Sequence, residues 1–116
     1  MSYRNQFIWQ RAVQLAIKCY QFTRLFPQSE LYGLTSQIRR SSVSVASNIA
    51  EGYGRRSKPE YIQFLHIALG SLRELDTQLI IAKEVDLAEK NLFTPLLNEV
   101  EEMQSILVAS LNKLKV

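Results

Sequence analysis

The stretch Ser42-Val-Ser-Val-Ala-Ser-Asn-Ile-Ala-Glu-Gly-Tyr-Gly-Arg55 reads as the second half of an amphipathic helix running into glycine. Val45 and Ile49 continue an apolar stripe that Leu31, Leu34 and Ile38 begin, so the spacing predicts a helix over about 30–52. Around that stripe sit Ser41, Ser42, Ser44, Ala46, Ser47 and Ala50. Side chains this small allow a second helix to approach closely, and serine hydroxyls can bond back to carbonyls one turn earlier. Asn48 lies on the edge of the stripe, where a buried amide must find partners. A cap or an inter-helix bond is the structural task for it, a catalytic role the functional one. Glu51 is one turn before Arg55, the spacing of a local ion pair. Gly52 and Gly54 then close the helix, since glycine takes the left-handed conformation at low cost.

Working outward, Pro27 follows Leu25-Phe26 and stops a first helix of about 5–25. Ser57-Lys-Pro-Glu60 has the form of a capping box with proline in the first turn, opening a third helix over about 58–84. Gly70 lies inside it at a cost of about 1 kcal/mol relative to alanine, and is expected there to let another backbone come close. Asp86-Leu-Ala-Glu89 has the form of a second capping box, opening a fourth helix over about 88–114. Thr94-Pro95 falls inside that helix and calls for either a kink or a restart capped by Thr94. Phe93, Leu96, Val100, Met103, Leu107 and Leu111 give it a coiled-coil-like seam. With 116 residues, 47% of them apolar, the chain can build one hydrophobic core and not two. Four helices with short connections and no strand predict an all-α, antiparallel up-down-up-down four-helix bundle as a single domain over 1–116.

Helix 1 carries more apolar surface than an outer helix of a monomeric bundle uses. Ile8, Ala12, Leu15, Cys19, Phe22 and Phe26 fall within about 40° of one direction. Trp9, Val13, Ala16, Ile17 and Tyr20 make a second stripe beside them. That surplus makes Trp9, Val13, Ile17 and Tyr20 a candidate oligomer interface; deep burial of helix 1 is the alternative. The net charge of +3 is uneven as well. Residues 1–60 hold nine Lys/Arg against three acids, and residues 61–116 hold five against eight. A basic half can serve a polyanion, attract the acidic half of another copy, or be ordinary solvated charge. Its densest parts are Arg39-Arg40 and Arg55-Arg56 with Lys58, the latter in a glycine-flexed turn beside Tyr53. Guanidinium forks suit phosphate oxygens and an aromatic can stack on a base, although the same arginines could be solvated or paired with acids of helices 3 and 4.

Several chemistries are missing. No apolar run reaches the length of a membrane span and nothing resembles a signal peptide, so the protein is expected in the cytoplasm, away from membranes. Cys19 cannot form an internal disulfide and reads as a small core side chain. His66 is the only histidine, which excludes the Glu-x-x-His pairs of a di-metal bundle and leaves no zinc ligand set. It also lacks the preceding arginine of helical-bundle ribonucleases. There is no phosphate loop and no nucleophile elbow. No cofactor and no enzymatic activity are expected.

Leu34-Thr-Ser-Gln-Ile-Arg-Arg40, Ser44-Val-Ala-Ser-Asn-Ile-Ala-Glu-Gly-Tyr-Gly-Arg55 and Ala68-Leu-Gly-Ser-Leu-Arg-Glu-Leu-Asp-Thr-Gln-Leu79 together resemble a bacterial four-helix-bundle family. That family is named for the intervening sequence of 23S ribosomal RNA, and the likeness runs from about Trp9 to Leu111. It implies a left-turning antiparallel bundle that assembles into a ring, typically a homopentamer. The chain is more distantly similar to the accessory protein of diversity-generating retroelements, which implies RNA or DNA binding and a reverse transcriptase as partner. Thr94-Pro95 departs from the unbroken acidic helix the family leads one to expect. Two functions follow. One is a non-catalytic oligomer binding nucleic acid through Arg39, Arg40, Arg55, Arg56 and Lys58, with Arg4, Arg11, Lys18 and Arg24 as contributors. The other is a protein-interaction scaffold that touches no nucleic acid.

Overall fold

The apolar stripes close on one another in four long helices: α1 Phe7–Thr23, α2 Ser36–Tyr53, α3 Lys58–Glu84 and α4 Lys90–Leu114. The computed structural model describes residues 2–115, and among these there is no strand. Each helix packs on its chain neighbour and α1 closes against α4, giving the up-down-up-down order in a rod of 43 × 21 × 20 Å. Its axis is filled by Leu15 and Cys19, Val45 and Ile49, Leu72 and Leu75, and Met103 and Leu107, all buried. Phe22 and Phe93 meet edge to face at 4.7 Å where α1 ends and α4 begins. Because the helices alternate in direction, the N-terminal segment, the α2–α3 turn and the end of α4 share one end of the rod. Gln6 ties that end together, its Nε2 donating to the Tyr61 hydroxyl at 3.1 Å.

α2 and α3 form the tightest pair, and the small residues of α2 are the reason. The Ser41 hydroxyl donates to Gln78 Oε1 at 2.7 Å, and Ser44 meets the Ser71 hydroxyl at 2.9 Å. Asn48 Nδ2 donates to the Ser44 carbonyl at 2.8 Å and to its hydroxyl at 3.0 Å, so Asn48 braces a serine that crosses between helices. At Gly52 the helices come close together. A Cβ there would stand 2.7 Å from Phe64 Cβ and 3.2 Å from Tyr61 Cδ1. Close approach, not turn geometry, is therefore what glycine does at position 52. Gly54 is not left-handed either (φ −79°, ψ −3°) and caps α2 in right-handed backbone. Gly70 reverses its expectation. A Cβ on it would meet nothing within 4 Å, so no backbone of this chain approaches it.

Two helix starts differ from the sequence reading, those of α2 and α4. α2 begins at Ser36 and not near residue 30, because Gly33 takes non-helical backbone (φ −107°, ψ −121°). The preceding residues make a short 3₁₀ turn, Gln28–Glu30, and a π turn, Leu31–Thr35, with the Glu30 carboxylate accepting the Leu34 N–H at 3.1 Å. The Ser57 cap behaves as expected. Its hydroxyl accepts the Glu60 N–H at 3.3 Å and donates to Glu60 Oε1 at 3.0 Å. Asp86, by contrast, closes α3 and does not open α4. It is left-handed (φ 60°), its N–H reaches the Lys83 carbonyl at 3.2 Å, and the Leu87 N–H reaches the Ala82 carbonyl at 3.0 Å. α4 starts after Glu89 with no side-chain cap and runs unbroken through Pro95, so it does not restart at Thr94.

Asp86 occupies the position where helices end most often on glycine. A left-handed non-glycine residue costs about 1 kcal/mol, and its exposed contact with Lys90 Nζ at 3.3 Å recovers little of that. Asp86→Gly is expected to stabilise the bundle by about 0.5–1 kcal/mol and raise the melting temperature by a few degrees. Asp86→Val should lower it. Thermal melts of the two variants check the sign of both.

Candidate nucleic-acid interface

Charge is sorted along the rod as well as along the chain. Arg4, Arg55, Arg56, Lys58, Lys113 and Lys115 all belong to the end that carries the α2–α3 turn. The acids there are Glu51 and Glu60. Glu51 pairs with Arg55 one turn on, as its spacing led one to expect, and Glu60 is occupied by Ser57. The Arg55 guanidinium also lies 4.7 Å over the Phe64 ring, so it is held in place before anything binds. Arg56 and Lys58 are exposed, and among the described residues neither has a carboxylate within 4 Å. They border a pocket of about 350 Å³ shared with Gln6, Tyr53, Arg55 and Tyr61. At the opposite end Lys90 is bound by Glu84 and Asp86, both at 3.3 Å, and charge there is largely cancelled.

The two arginine pairs do not make one patch. Arg40 and Tyr53 are separated by thirteen residues of helix, roughly 20 Å. Arg39 is held on one side: its Nε donates to the Thr23 hydroxyl at 2.9 Å and its guanidinium covers the Tyr20 ring at 4.8 Å. It ties α2 to α1. Arg40 is exposed beside a second pocket of about 380 Å³ with Tyr20, Tyr32 and Ser36. Tyr32 is 92% exposed, an aromatic presented to solvent next to a cation, and nothing in the helical reading of residues 30–35 pointed to it. Arg11 and Lys18 are also occupied. Arg11 bridges Glu99 at 3.1 Å and Glu102 at 2.9 Å, and Lys18 lies 3.9 Å from Glu99. These ion pairs join α1 to α4 and commit the Arg11 guanidinium, while Lys18 stays exposed at the edge of the pair.

Along the rod between the two basic pockets runs an apolar groove of about 620 Å³, walled by α1 and α2. Trp9, Val13, Ile17 and Tyr20 line its α1 side, and Val43, Ala46 and Ala50 its α2 side. Ile17 is 43% exposed and Tyr20 42%, so this part of the second stripe of α1 faces solvent within one chain, while Trp9, Val13 and Ala16 are half-buried and Trp9 packs against the core and the Tyr3 ring. The α2 wall is legible in retrospect as Val43, Ala46 and Ala50 at helical spacing on the side away from Val45 and Ile49. On the α3–α4 side the sign reverses. Burial and the neighbouring Glu101 hold the Asp76 carboxyl above its ordinary range. Cys19 offers no chemistry: burial pushes its thiol up to about 12, a bond to Ser42 opposing only weakly. No helix among the described residues is long and apolar enough to cross a membrane.

Comparison with known proteins agrees with this architecture. The sequence profile described as 23S rRNA-intervening sequence protein matches residues 4–109. Among solved structures, a protein with unknown function from the S23 ribosomal protein family of Bacteroides thetaiotaomicron is similar, with a TM-score of 0.80 and 20% identity. The match covers 90% of this chain and 97% of that one. A comparison with curated proteins finds no match.

Proposed function

We propose that this chain, which belongs to the 23S rRNA-intervening sequence protein family, is a non-catalytic, ring-forming protein that binds RNA or DNA through the α2–α3 end of its bundle. The observation that carries the reading is the gathering of Arg56, Lys58, Arg4, Lys113 and Lys115 at one end, without acidic partners among the described residues, beside a pocket lined by two tyrosines. Phosphates are recognised by such cations through charge and forked hydrogen bonds, with little dependence on sequence. Ring assembly supports the same reading. A ring has cyclic symmetry, so the same end of every copy lies on the same face, and weak basic ends add up to one cationic surface. The apolar groove between α1 and α2 supplies a surface for that assembly, and five copies is the number the family resemblance implies.

A salt series tests the binding. Affinity for a structured RNA and for a single-stranded DNA is expected to fall steeply with ionic strength, as counterion release requires. Arg56→Glu combined with Lys58→Glu should weaken binding at low salt by about 100-fold or more and flatten the salt dependence. Arg40→Glu, at the other end, should have the smaller effect. Absence of binding at low salt, or binding indifferent to the double reversal, overturns the proposal. A partner such as a reverse transcriptase that co-purifies through nuclease and high salt would then favour the scaffold.

A further inference from the structure

A ring joined through one groove is incomplete. Each copy in a closed ring offers one patch and receives a different one, so the α1–α2 groove needs a second face elsewhere on the chain. The side of the bundle directly opposite the groove would add copies in a straight line. A closing ring turns at every step, which puts the second face on a flank, at the outer ridge of α3 or of α4. The α4 ridge, Glu101, Ser105, Val108 and Asn112, presents one large apolar side chain. The α3 ridge presents two. Ile67 and Ile81 are 41% and 46% exposed, and with Glu74 midway between them they repeat every seven residues on one outward line of the helix. Charge agrees with this choice. Arg24 is the one charged residue lining the groove, and Glu74 is the charged residue on the α3 line. Both are exposed, and among the described residues neither has an ionic partner within 4 Å. Arg73 stands about a quarter turn away, on the flank of Asp76 that faces Glu101 of α4.

We propose that the α3 ridge of one copy seats in the α1–α2 groove of the next. Cyclic symmetry allows no shift along its axis, so with the rods standing along that axis, residues at one level of a copy meet residues at the same level of its neighbour. α1 and α3 run in the same direction, and the Gln6–Tyr61 bond spans 55 residues, so each α1 position is level with the α3 position 55 further on. α2 runs the other way, and the contact of Ser44 with Ser71 sets its level. Ile67 then arrives beside Val13 and between Ala46 and Ala50, where small side chains leave room for it. Glu74 arrives beside Tyr20, one turn from Arg24 and within reach of its guanidinium. Ile81 arrives two residues from the level of Tyr32, and gives an apolar neighbour to a ring that is 92% exposed in its own chain. The inference rests on the ring reading above and supplies the second face that a ring needs.

Variants of the full-length protein test the pairing. Native mass spectrometry of Ile67→Glu combined with Ile81→Glu is expected to show a single chain where the parent shows a ring, with helix content unchanged because both positions are exposed. Val108→Glu, on the α4 ridge, should leave the ring whole. Val13→Cys and Ile67→Cys placed in one chain should oxidise to a ladder of linked chains that ends at the size of the ring. Either cysteine alone should link nothing, since Cys19 is buried and takes no part. Arg24→Glu or Glu74→Arg alone should raise the concentration at which the ring dissociates by about tenfold, and the two together should restore it. A parent that is a single chain overturns the ring and this pairing with it. A ring that survives the α3 glutamates overturns the pairing and leaves the ring standing; if Val108→Glu then breaks it, the covering face is on α4. Chains linked through Val13→Cys alone mean that groove meets groove, which also overturns the pairing. So does a ring whose double-cysteine chains do not link, or one that the charge exchange fails to restore.

Discussion

Gly52→Val is expected to destabilise the bundle by about 3 kcal/mol, a large share of the roughly 5–15 kcal/mol that holds a domain of this size together. The contact that decides this is unusual in kind. A Cβ at position 52 would stand 2.7 Å from Phe64 Cβ, an atom fixed by the α3 backbone that cannot swing aside as a side-chain tip could. The added group must push α3 away, and the displacement works on the bonds beside it, Ser44 to Ser71 at 2.9 Å and Ser41 to Gln78 at 2.7 Å. Helix propensity acts in the opposite direction, because replacing an interior glycine by alanine gains about 1 kcal/mol. Gly52→Ala should therefore lose less than Gly52→Val and still fall below the parent. Gly70→Ala serves as the control: it meets nothing within 4 Å and should gain close to the full propensity term. Denaturant midpoints for the three variants settle the order. If Gly52→Ala stabilises as much as Gly70→Ala, close helix approach is not the function of Gly52.

These two glycines also show how far sequence can be read. The four helices were legible because the apolar residues recur at 3.6-residue spacing over long segments, and helices joined by short connections fold most simply as an antiparallel bundle. What Gly52 and Gly70 do depends on where a neighbouring helix passes, which no local pattern encodes, and the two expectations came out reversed. Asp86 was misread for a related reason. Asp-x-x-Glu fits a cap that opens a helix, but aspartate also tolerates the left-handed backbone that ends one, and the preceding helix had the prior claim on it. The candidate site divides in the same way. Residue type and local density were enough to single out Arg55, Arg56 and Lys58, which the α2–α3 turn keeps together. Arg39 and Arg11 were equally basic in the sequence, yet Thr23 and Tyr20 hold the first against α1, and Glu99 and Glu102 pair with the second from α4. Lys113 and Lys115 join the basic end only because an antiparallel bundle returns its last helix to where its first began.

The second large effect concerns assembly. If the chain forms the five-membered ring proposed above, Ile17→Glu combined with Val43→Glu is expected to convert it from a species of five times its 13.4 kDa mass to a single chain, as read by light scattering or native mass spectrometry. The two side chains stand on opposite walls of the apolar groove and are 43% and 41% exposed, so within one chain the new carboxylates remain solvated. Helix content and melting behaviour of the separated chain should accordingly persist. In an assembled ring the same carboxylates would be buried among Trp9, Val13 and Tyr20 of the groove and whatever surface covers it, and Arg24, the arginine lining the groove, stands two helical turns (about 10 Å) along the chain from Ile17. Burying an unpaired charge costs several kcal/mol, and closure repeats the cost at every interface of the ring. The consequence for function is separable from the consequence for assembly. Arg56 and Lys58 are untouched in this variant, so each copy keeps its basic end and loses only the company of the others. Nucleic-acid affinity should fall by the avidity lost, about 100-fold or more, while the salt slope shrinks towards that of one copy. A parent protein that is already a single chain in dilute solution would remove the ring. A ring that survives both glutamates would place its interface away from the α1–α2 groove.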